Sequence, residues 1–217
     1  MTKRISQNTP DQSAFIAHLP LHKNQFGGYL LLGISCIALF AIDYLFSTNI
    51  DELLHYDRAS LHNFEYWRLL SAHLLHTNEW HLLLNMLGLI LLWLLHGDYA
   101  NTKNLLIQTS VLALCISICL YFFTPKLNAY VGMSGVLHGL FVIGAMIDIL
   151  LRKKTGYLLL IGIAIKVIDE QISPPDSDLQ ALIEANVVID AHLYGVIFGI
   201  IVGTFLLSTH KNEYTYK

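Results

Sequence analysis

Long apolar stretches alternate with short polar segments along the chain. A bilayer core of about 30 Å requires roughly 20 apolar residues in a helix. Six stretches reach or approach this length: residues 28–47, 80–96, 104–123, 131–151, 156–168 and 187–208. The fifth is the shortest and contains Lys166, so it meets the criterion least well. The pattern predicts an all-α, polytopic membrane protein with a bundle of six transmembrane helices.

The segments outside these stretches predict how the chain is divided. Residues 1–27 are polar and lack the charged, apolar and cleavage-site regions of a signal peptide, so they are interpreted as a cytoplasmic tail. Residues 28–208 are predicted to form one membrane domain, without a linker or an internal repeat. Residues 209–217 are predicted to form a short cytoplasmic C-terminal tail.

The amino-acid composition excludes most soluble classes of protein. Hydrophobic residues make up 54% of the 217 residues and charged residues only 13%, whereas soluble domains carry roughly 25% charged residues. The net charge of −3 gives no basic excess for binding nucleic acid, so the predicted surroundings are a lipid bilayer. All three cysteines lie in apolar stretches and are interpreted as packing residues rather than disulfide partners.

The distribution of Lys and Arg predicts the orientation in the membrane. If the N-terminus is cytoplasmic, nine of the 13 Lys and Arg residues fall on the cytoplasmic side, three fall in outer loops, and Lys166 lies in the fifth span. Cytoplasmic loops of membrane proteins carry an excess of Lys and Arg. Both termini are therefore predicted to be cytoplasmic, and the second, fourth and sixth spans then begin on the outer side.

Polar side chains recur at the outer ends of these three spans. The second span begins with His81 and Asn85, which share one helix face. The fourth contains Ser134 and His138, and the sixth begins near His192. Polar residues within a span are costly and tend to be functional. We expect Ser134, Asn85 and at least two of the histidines to lie at similar depth, close to the outer surface.

Small residues predict which helices touch. Two spans carry glycines at four-residue spacing: Gly135 and Gly139 in the fourth, and Gly195, Gly199 and Gly203 in the sixth. Such stripes allow helix backbones to approach closely in lipid. Close packing of these two spans would bring Ser134 within reach of His192.

The residue types at this predicted cluster suit acyl transfer. A serine hydroxyl becomes nucleophilic when a base takes its proton, and histidine is the usual base. Side chains of Asn and His and backbone N–H groups stabilise a developing oxyanion. No third, acidic member is apparent, because Asp190 is two residues from His192 and positions two apart on a helix face different directions. The predicted arrangement is a Ser-His dyad.

Other assignments of the histidines stay open at this point. His138 lies one turn after Ser134 and competes with His192 as the base. A pair such as His81 and His192 could ligate haem in a small membrane carrier. Three histidines that fall close together in sequence could bind zinc, although no HExxH motif is present: His73, His76 and His81. If they bind no zinc, His73 and His76 are interpreted as interfacial loop residues.

Four motifs together resemble the rhomboid family of intramembrane serine proteases. They occur in family order over roughly residues 60–205: Glu65-Tyr66-Trp67-Arg68, His81-Leu82-Leu83-Leu84-Asn85, Gly132-Met133-Ser134-Gly135, and Ala191-His192-Leu193-Tyr194-Gly195 with Gly199. The GxSG motif alone is unspecific, but the four motifs with six predicted spans form a specific set. The resemblance implies a six-span rhomboid-like bundle that hydrolyses a peptide bond in or near a substrate's transmembrane helix.

The resemblance also implies a role for each matching residue, without a metal or cofactor. Ser134 is implied as nucleophile and His192 as base, while His81, Asn85 and the Ser134 N–H are implied to form the oxyanion hole. The loop residues implied to lie in the outer leaflet beside the site are Trp67 and Arg68, and the helix-packing residues are Gly132, Gly135, Gly139, Gly195 and Gly199.

His138 departs from the pattern of many rhomboids, which carry Tyr four residues after the serine, where its ring stacks on the base. Residues 132–139 look like the variant of the rhombosortases, a bacterial subfamily associated with proteins that end in Gly-Gly, an apolar helix and a basic tail. This resemblance implies that His138 positions the base. It also implies removal of such single-helix anchors from exported proteins at the bacterial inner membrane, with a site opening to the periplasm. The alternative within the fold is a catalytically inactive protein that binds membrane helices.

Overall fold

The computed structural model describes residues 23–46, 49–173 and 176–215. In chain order the elements are α1 (Lys23–Phe46), α2 (Ile50–Leu54), β1 (Tyr56–Asp57), α3 (Arg58–His62), α4 (Arg68–Ser71), a 3₁₀ turn (Ala72–Leu74), α5 (Glu79–His96), α6 (Thr102–Phe123), β2 (Ala129–Tyr130), α7 (Ser134–Leu150), α8 (Lys154–Ile172), α9 (Ser177–Ile183) and α10 (Ile189–Thr215). Of the predicted tails, residues 1–22, 216 and 217 lie outside the described residues. Residues 23–27 and 209–215 are helical, so α1 and α10 extend beyond the predicted spans.

The six long helices confirm the predicted all-α membrane bundle. Within the described chain, α1, α5, α6 and α10 contain segments long and apolar enough to cross a membrane, and α7 is a shorter apolar helix of 17 residues. The predicted fifth span, residues 156–168, is too short: α8 continues to Ile172. The charged residues near the end of α8 are typical of a loop sequence. Lys166 and Glu170 instead form an ion pair across one helical turn, and both belong to the helix.

Side-chain caps fix where several helices begin. The Asn78 side chain accepts a hydrogen bond from the backbone N–H of His81, 2.9 Å away, and begins α5. Asn101 does the same for α6 through the N–H of Asn104. These bonds satisfy backbone donors that have no partner within the first helical turn. The cap on α5 places His81 in the first turn of that helix.

The loop between α1 and α5 is joined to the bundle by backbone and guanidinium contacts. Strands β1 and β2 pair antiparallel, with Tyr56 opposite Tyr130. The Arg58 guanidinium donates to carbonyl oxygens at the end of α6 and just beyond it: Leu120, Tyr121, Thr124 and Leu127. A cation that binds the last carbonyls of a helix also interacts favourably with the helix dipole. The loop between α1 and α5 is therefore held against the end of α6.

The interface between α7 and α10 is the closest helix packing around the site. A Cβ added at Gly135 would lie 2.7 Å from the Ala191 carbonyl oxygen, and one at Gly139 would lie 2.9 Å from that of Gly195. A Cβ at Gly199 would meet the Gly139 carbonyl oxygen at 2.7 Å. Any larger residue would separate these backbones, so the stripes allow the approach that the sequence predicts. Ser134 and His192 lie at the end of this interface where both helices begin.

Candidate active site

The first residue of α7 and a residue in the first turns of α10 form a close polar pair. Nε2 of His192 lies 2.8 Å from Oγ of Ser134, within hydrogen-bonding distance. The His192 side chain is almost fully buried. The Ser134 N–H lies in the first turn of α7, where backbone N–H groups have no partner within the helix. The pair thus combines a hydroxyl and an imidazole with a backbone donor that the helix does not use.

The other nitrogen of His192 contacts a carboxylate that the sequence analysis did not assign to the site. Oε2 of Glu170 lies 2.9 Å from Nδ1 of His192, and Oε1 lies 3.1 Å from it. The expectation that no acidic side chain joins the pair is therefore wrong. Asp190, the acid considered from sequence, instead accepts a hydrogen bond from Thr124 Oγ1 at 2.8 Å. Glu170 was missed because its segment was interpreted as a loop beyond the fifth span.

Lys166 contacts the same carboxylate from one turn earlier on α8. Its Nζ lies 2.5 Å from Oε1 of Glu170. The Lys166 side chain is about half exposed, at 49%, whereas that of Glu170 is 14% exposed. The carboxylate consequently lies between an ammonium group and an imidazole. The available sequence signal for Glu170 was its position four residues after a lysine, which suits an ion pair on a helix.

His138 lies against the face of the His192 ring. The two ring centroids are 4.3 Å apart and the ring planes differ by 20°. Nδ1 of His138 donates a hydrogen bond to the Ser134 carbonyl oxygen, 2.8 Å away. This nitrogen is therefore turned to its own helix backbone, and the group within hydrogen-bonding distance of the Ser134 hydroxyl is Nε2 of His192. The stacking restricts rotation of the His192 ring.

His81 and Asn85 face the site from α5. The Asn85 amide donates one hydrogen bond to the His81 carbonyl oxygen at 3.0 Å, which leaves its second amide proton for another acceptor. Nδ1 of His81 lies 3.1 Å from Thr77 Oγ1. A Cβ at Gly132 would lie 2.9 Å from His81 Nε2, and Gly132 also has a φ of +126°. Gly132 was expected to pack helices, but it precedes α7 and makes room for the His81 ring.

A cavity of about 1300 Å³ connects these side chains. Helices α1, α5, α7, α8, α9 and α10 all contribute to its wall. The polar residues that line it at the site are Ser134, His138, His192, His81, Asn85 and Lys166. Apolar side chains of α5 and α8 line it elsewhere, among them Leu84, Leu91, Leu159 and Ile163. The cavity therefore joins a polar end near the serine to an apolar wall between two helices.

The two loop residues expected beside the site have different surroundings. Trp67 is half exposed, at 49%, and its Nε1 donates to the Leu53 carbonyl oxygen at 3.1 Å. Arg68 is buried: it pairs with Glu65 and donates to the carbonyl oxygens of Glu52 and His55. Neither residue is among the described residues that line the cavity. Arg68 therefore holds the loop together rather than facing the serine.

Two histidines interpreted from sequence as interfacial are in fact buried. His73 is 2% exposed and His76 is 7% exposed. Nε2 of His73 lies 2.9 Å from Ser117 Oγ and 3.0 Å from the Ala113 carbonyl oxygen. Burial lowers the pKa of His73 to about 4. Burial, with a smaller contribution from neighbouring His81, lowers the pKa of His76 to about 3.

The same histidines do not converge on a metal site. The His73 ring is engaged by Ser117 and α6 backbone, while the His76 ring lies edge-on to His81 with their centroids 5.0 Å apart. Among the residues that the structure describes, no group of three or more His, Cys, Asp or Glu side chains could hold a metal ion. Both nitrogens of His192 are already engaged, by Ser134 and Glu170. A haem ligated by His192 would have to displace one of these contacts.

Comparison with known protein families identifies the family of this chain. No curated protein matches the chain significantly. The profile of the rhomboid domain matches residues 63–209, a segment that runs from the loop between α1 and α5 to α10 and contains all the site residues above. This segment covers more than half of the chain, and the family consists generally of intramembrane serine proteases. The chain belongs to the rhomboid family.

Proposed function

We propose that the protein is an intramembrane serine endopeptidase that uses Ser134 as nucleophile and His192 as base. The observation that carries this proposal is the 2.8 Å contact between Ser134 Oγ and His192 Nε2 at the wall of the large cavity. A nucleophile within hydrogen-bonding reach of a base, which is in turn held by a third group, is the arrangement that acyl transfer requires. Membership of the rhomboid family supports the same chemistry.

The proposed reaction follows from these contacts. Ser134 Oγ attacks the scissile carbonyl carbon while its proton passes to Nε2 of His192. The imidazolium then gives this proton to the leaving amine as the C–N bond breaks, which leaves an acyl ester on Ser134. Water attacks the ester, its proton passes to Nε2, and the carboxylic acid leaves as Oγ regains a proton. Every one of these proton transfers passes through Nε2 of His192, which lies 2.8 Å from Oγ.

The donors around the serine would stabilise the tetrahedral intermediates. The Ser134 N–H and the second amide proton of Asn85 are donors not used by the hydrogen bonds described above. His81 contributes Nε2, which faces Gly132 rather than the Thr77 hydroxyl. Donors placed where charge develops lower the barrier most when they need not reorganise. We assign the oxyanion hole to these three groups.

The substrates would be proteins anchored by a single transmembrane helix. The cavity wall formed by apolar residues of α5 and α8 suits a helix arriving from the bilayer, while the serine lies at its polar end. The stacked His138, in place of the Tyr common in rhomboids, favours a rhombosortase-like task. That task is removal of a C-terminal Gly-Gly anchor from exported proteins at the bacterial inner membrane. Both termini would be cytoplasmic and the site would open to the periplasm.

Covalent labelling tests the chemistry without knowledge of the substrate. The detergent-solubilised protein is incubated with a fluorophosphonate, which reacts with an activated serine far faster than with an ordinary hydroxyl. We expect the wild type to be labelled at Ser134, as located by peptide mass spectrometry, and the S134A variant to remain unlabelled. A wild type that is not labelled and cleaves no membrane protein would favour an inactive helix-binding protein instead.

Substrate identity is tested in cells. Proteins whose C-terminal tails persist when Ser134 is changed to Ala, and not when wild type is restored, are the candidate substrates. We expect these tails to consist of Gly-Gly, an apolar helix and basic residues. Persisting tails of another architecture would contradict the rhombosortase-like task but leave the protease proposal intact.

A further inference from the structure

Glu170 reaches the base from a helix that carries none of the residues assigned above to the reaction. Its two carboxylate oxygens lie 2.9 and 3.1 Å from Nδ1 of His192, on the side of the ring opposite Ser134. We propose that Glu170 is a positioning residue that holds His192 in the tautomer and orientation needed to accept the Ser134 proton. This inference rests on the proposed function, because it assigns Glu170 to the same site.

The hydrogen-bonding capacity of a carboxylate determines the tautomer. An ionised carboxylate accepts hydrogen bonds and cannot donate one, so the short contact to Nδ1 requires the proton to be on Nδ1. The lone pair is then on Nε2, which lies 2.8 Å from the Ser134 hydroxyl. The negative charge also stabilises the imidazolium that forms once Nε2 has taken the proton. Glu170 itself stays ionised throughout.

Two different contacts fix the orientation of the His192 ring. Glu170 binds Nδ1 at the edge of the ring, while His138 stacks on its face at a centroid distance of 4.3 Å. Together they leave the imidazole little freedom to rotate away from Ser134. A nucleophile, a base and a group that orients the base also occur together in other hydrolases.

Lys166 makes this arrangement unusually sensitive to the chemistry of residue 170. Its ammonium group carries only donors and lies 2.5 Å from Oε1 of Glu170. In Glu170→Gln, the single amide oxygen would be drawn to Lys166, and the amide NH₂ would face Nδ1. Nδ1 would then have to accept, its proton would move to Nε2, and His192 would be in the tautomer that cannot accept a proton from Ser134.

The test measures the rate of fluorophosphonate labelling at Ser134 in detergent. For Glu170→Gln we expect kinact to fall by about 10²-fold or more, within the range contributed by general acid–base catalysis, while KI changes less than about twofold. The matched control is Asp169→Asn, which removes a neighbouring carboxylate of α8 that bonds Ser173 rather than His192. We expect this control to label at the wild-type rate.

A second variant separates positioning from mere support of the fold. With Lys166→Met added to Glu170→Gln, the introduced amide oxygen is no longer held by an ammonium group and can turn to accept from Nδ1. We therefore expect Lys166→Met with Glu170→Gln to regain at least about tenfold in kinact over Glu170→Gln alone. Loss of a purely structural salt bridge would give no such recovery.

The possible results distinguish this inference from the proposed function. Equal labelling of Glu170→Gln and Asp169→Asn, in a protein whose wild type does label at Ser134, overturns the role of Glu170 and leaves the protease proposal standing. A wild type that does not label overturns both. If Glu170→Gln alone does not fold, the double variant is compared with Lys166→Met. Slower labelling of the double variant supports the role of Glu170, because the charge that stabilises the imidazolium is lost. Equal labelling rates of the two variants overturn that role.

Discussion

The two ends of α7 carry buried polar clusters that look alike by residue type but differ in what they can do. The cluster at the start of α7, named the outer cluster after the predicted orientation, contains Ser134 and His192 with Glu170. The cluster near the other end of α7, named the inner cluster, contains Asp148 and His96, with 3.4 Å between Asp148 Oδ2 and His96 Nε2. Each cluster therefore has an imidazole beside a carboxylate in a mostly apolar bundle. Both positions are costly for polar groups.

The partners of each carboxylate explain the difference. Asp148 accepts from the Tyr99 hydroxyl and from Thr155 Oγ1, and lies 3.6 Å from Lys153 Nζ. These groups join the loop after α5 and the start of α8 to α7, which is a structural task. Among the described residues, none of this inner cluster lines the large cavity. A buried His and acid indicate a reactive site only where a nucleophile and space for substrate accompany them.

The largest expected contrast comes from removing one member of each cluster. His192→Ala should lower the fluorophosphonate labelling rate by about 10³-fold or more, because Ser134 loses the group that takes its proton. Asp148→Ala should leave the labelling rate of the folded protein unchanged. It should instead lower the free energy of unfolding by about 1–3 kcal/mol, because buried donors lose their acceptor. Labelling kinetics and thermal unfolding in the same detergent measure both.

His138→Ala provides the control for the assignment of the base. Its Nδ1 is occupied by the Ser134 carbonyl oxygen and its ring only stacks on His192. We expect reduced labelling with a clear remainder, since the base is still present. Full labelling in His192→Ala together with none in His138→Ala would reverse the assignment. Loss of labelling in Asp148→Ala at full stability would show that the inner cluster is not merely structural.

A smaller effect is expected from the donor on α5. Asn85→Ala should lower the rate of peptide hydrolysis by about 10²–10³-fold, the usual loss for one oxyanion donor. The variant also loses the 3.0 Å hydrogen bond to the His81 carbonyl oxygen, which the α5 backbone can replace at little cost in stability. Cleavage of a single-span reporter protein, compared with thermal unfolding, checks the prediction. Unchanged cleavage would reduce Asn85 to a helix-packing residue.

The sequence predicts the helices of the bundle better than it predicts the members of the outer cluster. The apolar stretches and glycine stripes predict the bundle and the packing of α7 on α10 because these features depend on local hydrophobicity and size. Glu170 could not be found that way, because its partner His192 is 22 residues away in sequence and on another helix. The charge of Glu170 is typical of a loop residue. Its contacts with Lys166 and His192 compensate that charge within α8. Burial of His73 and His76 likewise depends on tertiary packing that periodicity does not reveal.

The smallest expected effect concerns the pH dependence of stability, through two buried histidines that precede α5. His73 and His76 have pKa values lowered by burial to about 4 and about 3, against about 6.5 in an unfolded chain. The unfolded state therefore binds more protons between these values, so stability falls as pH decreases from about 6.5 toward 4. Each histidine contributes up to about 1.4 kcal/mol per pH unit to this slope. His76→Gln keeps a polar side chain that does not titrate, and should reduce the slope by about that amount. Denaturant unfolding at several pH values measures the slopes, and equal slopes in wild type and His76→Gln would show that His76 is not held neutral in the folded protein.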